Sequence, residues 1–418
     1  MKRPPSRPPT GLRFGHTQKS IRFWRALAGR ALRSHGTPFY LFSVNPLREA
    51  LDELKTLNRT VPVRHWLSCK TQPVRPLLEW WRRQGHGIEV VSEYELLAAF
   101  KEGFSAERIL INGPAKHRWL NRYPVSGLSV NFDSPGELKT LVPLAKKLAW
   151  RVGLRIHTTE EFDPENPQCP TQFGMQSGEA VHALKTLKRR NLRLEIVHFH
   201  LRTNVASPAG YQRALEEVAG ICRAARFVPK YVDCGGGLPP PNVLSPEDRA
   251  FDAEFDLDEL ARVHRQALEK FPGARELWLE NGRFLSARSG VLAVRVRDIK
   301  ERRGLRQLIC DGGRTTQALI SNWERHQIFV LPERRGPVRL TVVCGPTCMA
   351  FDQLARRDLP RSIRPGDCLV WMDAGAYHVP WETRFSHGYA KVLWHDGIHI
   401  TVAREAEGFE AWWGQWKR

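Results

Sequence analysis

Several residues of this chain stand at the ends of short hydrophobic runs and have side chains, or a lack of them, suited to chemistry. They are Lys70, Glu89, Asn112, Arg155, His200, the glycines Gly235, Gly236 and Gly237, and Glu280 followed by Gly282 and Arg283. Singly each is ordinary: a lone lysine is usually a surface charge, and three glycines make a tight turn. Together they meet the demands of one cofactor. The three glycines let backbone N–H groups approach a phosphate with no side chain between. Arg283 adds charge-assisted hydrogen bonds to the same group. Lys70 is an amine able to form an imine with an aldehyde. Glu280 can hold a pyridine nitrogen protonated, which turns that ring into an electron sink, and His200 is suited to lie against it. Phosphate, aldehyde and pyridine are the parts of pyridoxal 5'-phosphate.

Such a set works only if the fold brings the run ends together. From residue 60 onward, β-branched runs alternate with amphipathic helical stretches. The runs cover 61–69, 88–91, 108–112, 127–132, 151–157, 194–200, 230–234 and 276–280. In the helical stretch at 135–148, Leu138, Leu141, Val142, Ala145 and Leu148 keep the spacing of an apolar helix face. Repeated strand–helix units imply parallel strands with right-handed crossovers. Eight of them in about 225 residues match a closed (β/α)8 barrel, whose catalytic groups follow the strand C-termini; an open doubly wound sheet is the rival. After Ser286 strand-like runs dominate, at 290–299, 305–310, 338–344, 368–372, 389–394 and 398–403, with Gly/Pro/Asp-rich turns. That pattern predicts a β-sandwich or open β-barrel domain, closed by a helix at 406–416 that carries Trp412, Trp413 and Trp416. The expected organisation is a basic extension at 1–36, a cofactor-binding barrel at 37–285 and a β-domain at 286–418.

A series of motifs runs through both domains. Ser68-Cys69-Lys70, Gly87-Ile88-Glu89-Val90-Val91-Ser92 and Ile111-Asn112-Gly113-Pro114-Ala115-Lys116 come first. His198-Phe199-His200, Asp233-Cys234-Gly235-Gly236-Gly237 and Glu280-Asn281-Gly282-Arg283 follow. Asp311-Gly312-Gly313, Gly345-Pro346-Thr347-Cys348 and Asp373-Ala374-Gly375-Ala376-Tyr377 complete the order. From about residue 37 to residue 392 the chain thereby resembles the ornithine/diaminopimelate decarboxylases, which are fold type III pyridoxal-phosphate enzymes. The resemblance implies an alanine racemase-like barrel with a C-terminal β-domain, to which the N-terminal segment is usually added. It implies Lys70 as the Schiff-base lysine, His200 as the ring-stacking histidine and Glu280 as the partner of the pyridine nitrogen. Gly235, Gly236, Gly237, Gly282, Arg283 and Tyr377 match the phosphate cradle. Cys348 matches a cysteine that reaches the other subunit's cofactor and reprotonates the substrate carbon, so the resemblance also implies a homodimer with shared active sites.

The departures bear on substrate. After His200 the family's Gly-Ser is replaced by Leu201-Arg202-Thr203; Thr203 can offer a hydroxyl to phosphate, while Arg202 is bulky. Arg155 is expected to pair with Glu89 near the lysine. Met349-Ala350-Phe351-Asp352 follows Cys348 where diaminopimelate decarboxylases carry Glu-Ser. Leu319-Ile320-Ser321-Asn322-Trp323 replaces their Arg-Pro-Ala-Leu-Tyr stretch. Trp323, Glu324 and Asp352 become the substrate candidates, Glu324 as an acid for a distal amine. Gly-Pro-x-Cys followed by Asp352 is closer to decarboxylases whose amino-acid substrates are attached to something larger. The implied reaction is α-decarboxylation of an amino acid or an amino-acid conjugate. The alternatives are a diaminopimelate decarboxylase of lysine biosynthesis, an ornithine-type decarboxylase, an amino-acid racemase and a catalytically dead binding homologue.

Composition limits the partners. The chain has 418 residues, 42% hydrophobic and 26% charged, which excludes a disordered chain. Its 64 basic and 44 acidic residues give a net charge of +20, a balance that raises nucleic acid as a partner. Ten of the basic residues precede the first acid, Glu49, and no nucleic-acid motif accompanies them. The expectation is therefore an amino-acid substrate, no nucleic acid and, without a long apolar run, no membrane. The basic extension is expected to be a disordered tail, with a transit peptide as the rival. None of the 8 cysteines forms a CxxC pair. His198 and His200 share a strand face but lack a third ligand, so no metal site is expected. Free thiols point to a reducing cytoplasm.

Overall fold

In the computed structural model, the described residues are 15–163, 166–317 and 323–416. Their contacts form two units. One joins the described residues up to Leu47 with Pro240–Phe251 and those from Ser286 onward; the other comprises Arg48–Pro239 and Asp252–Leu285.

The first, the β-unit, opens with helix α1 (Gln18–Ser34), capped by the Thr17 hydroxyl accepting from the Ser20 amide. Trp24, Leu27, Ala28 and Ala31 line one helix face and are buried in a core with Phe39, Leu41, Val291, Ala293, Val370 and Leu393. Lys19, Arg22, Arg30 and Arg33 lie exposed on the other side. This corrects the expected disordered tail for these residues: the apolar spacing buries one face, and the charges are its solvent side. Residues 1–14 of that extension lie outside the described residues. Strand β1 (Phe39–Ser43) follows, pairing with two strands of the same unit described below, so the boundary expected at 37 moves to Leu47.

The barrel unit is built from β2 (Val63–Ser68), β3 (Gly87–Val90), β4 (Ile109–Ile111), β5 (Ser129–Phe132), β6 (Arg151–Arg155), β7 (Leu194–His198), β8 (Tyr231–Asp233) and β9 (Glu276–Asn281). All pair in parallel, and β9 closes on β2. Each coincides with an expected run. The helices between them carry the usual signals: Pro135–Lys147 starts with a proline after the Ser134 cap. Trp66, Leu110, Ile196 and Trp278 fill part of the interior. Gly87 makes room for them, since a Cβ there would come 2.3 Å from the Trp66 ring.

The β-unit resumes with β10 (Gly290–Arg302), β11 (Leu305–Cys310), β12 (Ile328–Leu331), β13 (Val338–Cys344), β14 (Gln353–Pro360), β15 (Cys368–Trp371), β16 (Lys391–His395) and β17 (Ile400–Arg404). The sheet runs β14-β13-β11-β10-β1-β16-β17, and β15 pairs both β10 and β12. The long β10 branches it: residues 292–295 face β15, and Val296 onward faces β11. The last helix is Phe409–Trp413, shorter than expected.

Candidate active site

Each polar side chain at the C-terminal side of the barrel is delivered by its own strand. A single 3-10 turn, Cys69–Thr71, carries Lys70 just past β2. Lys70 Nζ lies 3.2 Å from both carboxylate oxygens of Glu89 in β3. Asn112, directly after β4, donates to Glu280 Oε1 in β9 at 2.5 Å and to Glu89 Oε1 at 3.4 Å. Asn131 of β5 then donates to Asn112 Oδ1 at 2.9 Å and to Asp233 Oδ2, at the end of β8, at 3.0 Å. The other Asp233 oxygen accepts from the Gly235 amide at 3.1 Å. His198 Nε2 stands 3.2 Å from Glu280 Oε1. Two asparagines thus link three carboxyl groups from different strands. Glu89 is fully buried, while the Lys70 side chain keeps 40% of its surface exposed and remains reachable.

Three buried carboxyls this close do not all ionise. Burial pushes Asp233 well up, and the neighbouring Glu280 charge adds to that. Burial also raises Glu89, against the pull of Lys70. Burial acts on Glu280 in the same sense, but His198, 3.2 Å away, and the Lys70 charge hold it below the usual carboxylate range. Asp233 is therefore the carboxyl that takes up a proton, while Glu280 keeps its charge, the property required opposite a protonated pyridine nitrogen.

The glycine loop lies beside this cluster. Gly235 and Gly237 have φ of +65° and +102°, a region that favours glycine. A Cβ on Gly236 would stand 2.5 Å from the Glu280 carbonyl. The Gly236 amide donates to His200 Nδ1 at 3.1 Å, so the neutral ring carries its proton on Nε2. Burial, then the Arg155 charge, pushes His200 down to about 3 and keeps it neutral. Thr203 is exposed on the next loop, which the Val205 amide ties to the Gly237 carbonyl at 2.9 Å. The Arg202 guanidinium is held over the Phe162 ring at 4.4 Å. Gly282 and Arg283 follow β9 directly.

One expected pairing changes. Arg155 donates to Glu161 at 2.8 Å and lies over Phe173 at 4.4 Å. Glu161 belongs to the loop that leaves β6 and reaches Arg155 locally, while Glu89 is already neutralised by Lys70.

The β-unit places its own candidates separately. Asp352 is 3% exposed. Its carboxylate accepts from the Arg314 amide at 2.7 Å, the Thr347 amide at 3.0 Å and the Thr347 hydroxyl at 2.6 Å. Expected at the substrate, it braces the loops carrying Gly313 and Thr347. Cys348, next in the chain, is exposed. Tyr377 sits in a turn with φ of +66°. Trp323 meets Trp381 edge to face, centroids 5.8 Å apart. Glu324 is buried against His326, 2.8 Å away. Residues 319–322 of the replaced substrate stretch lie outside the described residues.

Three residues of this cluster, Asn131, Asp233 and His198, carry no cofactor role in the sequence motifs. All three sit within strands, at positions where an apolar side chain is the rule. The available signal was a polar residue inside a short apolar strand, as in Ser129-Val130-Asn131-Phe132.

Among known families, that described as pyridoxal-dependent decarboxylase, pyridoxal binding domain, matches residues 47–287. A diaminopimelate decarboxylase of Actinosynnema pretiosum subsp. auranticum is 29% identical over 385 residues, spanning 86% of this chain and 83% of that protein. An L-glutamyl-(BtrI acyl-carrier protein) decarboxylase of Niallia circulans is 26% identical over 369 residues, spanning 82% and 84%. The solved diaminopimelate decarboxylase of Helicobacter pylori, complexed with L-lysine, superposes with a TM-score of 0.80 at 23% identity, over 93% of this chain and 98% of that one. At that identity the likeness speaks to the fold alone, an alanine racemase-like barrel with a β-domain. Among the described residues no helix is long and apolar enough to cross a membrane.

Proposed function

Because the chain belongs to the pyridoxal-dependent decarboxylases, we propose that it removes the α-carboxylate of an amino acid carried on a larger molecule. The observation that carries the chemistry is the Asn112 amide, which touches both Glu280 and the Glu89 partner of Lys70. One framework thereby holds a reachable amine and a charged carboxylate.

The residues present fit pyridoxal 5'-phosphate. The glycine loop offers bare backbone where a Cβ at Gly235 would come 2.6 Å from the Phe199 carbonyl. His200 offers a neutral ring, and Arg283 a cation for phosphate. When bound, the cofactor supplies an electron sink for the pair left behind as carbon dioxide departs. Glu280 would hold the ring nitrogen protonated, and Asn112 and His198 fix its carboxylate for that role. Lys70 would be the amine that anchors the cofactor's aldehyde end, with Glu89 at 3.2 Å to position it. Cys348 of the partner subunit delivers the proton to the substrate carbon as general acid, which makes the working enzyme a homodimer.

The substrate reading rests on Met349 and Ala350 after Cys348, and on the relative that acts on a glutamyl carrier protein. The second reading, free diaminopimelate, is favoured by the 29% identical relative. Carbon dioxide release from diaminopimelate, ornithine, arginine, glutamate and carrier-linked glutamate separates the two. Turnover without carbon dioxide release would instead reveal a racemase. Purified protein should show the near-visible absorbance of bound pyridoxal phosphate, and Lys70→Ala should lose both that signal and turnover. An unchanged spectrum in the variant would remove Lys70 from its assigned role.

A further inference from the structure

The β-unit holds a second set of convergent donors that decarboxylation does not use. Glu324, His326 and His378 are all buried, and one ligand atom from each lies within 4.8 Å of the others. We propose that they form a divalent-metal site, of a kind that suits zinc, fastening the segment around Glu324 to the Tyr377-His378 turn.

Proton positions constrain the cluster. His326 Nδ1 is 2.6 Å from the Met372 carbonyl oxygen, which has no proton to offer, so Nδ1 is the donor. In the neutral ring Nε2 then carries a lone pair, and it lies 2.8 Å from Glu324 Oε2. Two electron pairs that close require a cation between them, a proton or a metal ion. A proton serves two atoms. Here a third donor converges: the His378 ring stands 5.4 Å from that of His326, turned by 80°.

A histidine whose far nitrogen donates to a backbone carbonyl has the outer partner that metal-bound imidazoles typically have. Two imidazoles and one carboxylate are a ligand set for zinc, leaving one position open. With ligand distances of about 2.0–2.1 Å, tetrahedral donors stand roughly 3.3 Å apart, so the closest pair opens by about half an ångström and the others draw in. The pairing of β12 with β15 sets this up, because it continues into the Met372 amide donating to the Gln327 carbonyl and so places His326 beside Met372. The cluster His198, Asp233 and Glu280 also converges, but it belongs to the barrel site.

The test uses cofactor-loaded protein incubated with zinc or cobalt(II), cleared over a chelating resin and assayed by elemental analysis. About one ion per chain is expected, with the intense visible absorption of low-coordinate cobalt(II). Glu324→Gln and His378→Gln should each lower metal affinity at least about ten-fold, while Asp233→Asn and Cys348→Ser keep it. Circular dichroism checks that each variant is folded. If one is not, the wild type decides alone, since bound zinc must raise its melting temperature. Wild-type protein that retains no metal and gains no stability overturns the site and leaves an imidazolium–carboxylate pair. Metal lost in Asp233→Asn but kept in His378→Gln overturns it equally, by moving the ion to the barrel.

Discussion

The strand-end cluster of the barrel and the loop around Asp352 in the β-unit both bury carboxylates, but they engage them differently. In the barrel, parallel strands already pair the backbone, so Glu89 and Glu280 are left to side chains: Lys70, Asn112 and His198. Asp233 stands midway, with Asn131 on one oxygen and the Gly235 amide on the other. In the β-unit, loops replace ladders, and acids do the work of missing strand partners. Asp352 takes the Arg314 and Thr347 amides. A buried acid whose partners are side chains from other strands is a candidate for chemistry. One whose partners are amides of its own loops is a brace.

The largest expected effect tests the first half of that contrast. Glu280→Gln keeps an acceptor for Asn112 but removes the charge. Turnover should fall by about 10² to 10³-fold with little change in melting temperature; equal losses of activity and stability would make Glu280 a brace too. Asp352→Ala tests the other half. It orphans three donors in a buried place, so it should cost roughly 2–4 kcal/mol of stability, measured by denaturant unfolding. Activity lost at full stability would return Asp352 to the substrate.

The smallest effect concerns pH. In the barrel, burial is the main cause lowering His65 and His200 to about 3 and His86 and His264 to about 4. Their folded values lie below the unfolded one, so between about pH 6.5 and 4 the unfolded chain binds protons that the barrel refuses. The stability they confer is full above that window and is lost as pH falls through it. Asp233, Glu89, Glu95 and Glu161, raised by burial, pull the other way, and His198, lowered by burial, joins the four histidines. The melting temperature should drop from pH 7 to pH 5. His264 is fully buried and shifted by burial alone. His264→Leu should flatten that drop by on the order of 1 kcal/mol per pH unit; an unchanged slope would remove His264 from the account.

Much of the barrel was legible because its signals are local. Each strand is a short β-branched run, each helix has its own apolar face, and Lys70, Glu89, His200, the glycines and Glu280 stand at or near run ends. The β-unit was less legible. Its β14 reads as a charged stretch because Arg356 and Asp358 alternate with partly or fully buried neighbours. The partners of β1 and α1 lie some 250 or more residues away, and nothing in residues 18–43 announces them.

The sequence by itself determined the eight-stranded parallel barrel, the cofactor class and the residue types available at the barrel's C-terminal side, since periodicity and motif are written in neighbouring residues. Only the tertiary structure decided who meets whom. It set Arg155 on Glu161 and joined Asn112 to Asn131 and Asp233. It turned Asp352 onto its own loops and brought Glu324 and His326 to His378. The reason is physical: local patterns select a backbone conformation, whereas a buried charge takes whichever partner packing brings within about 3 Å.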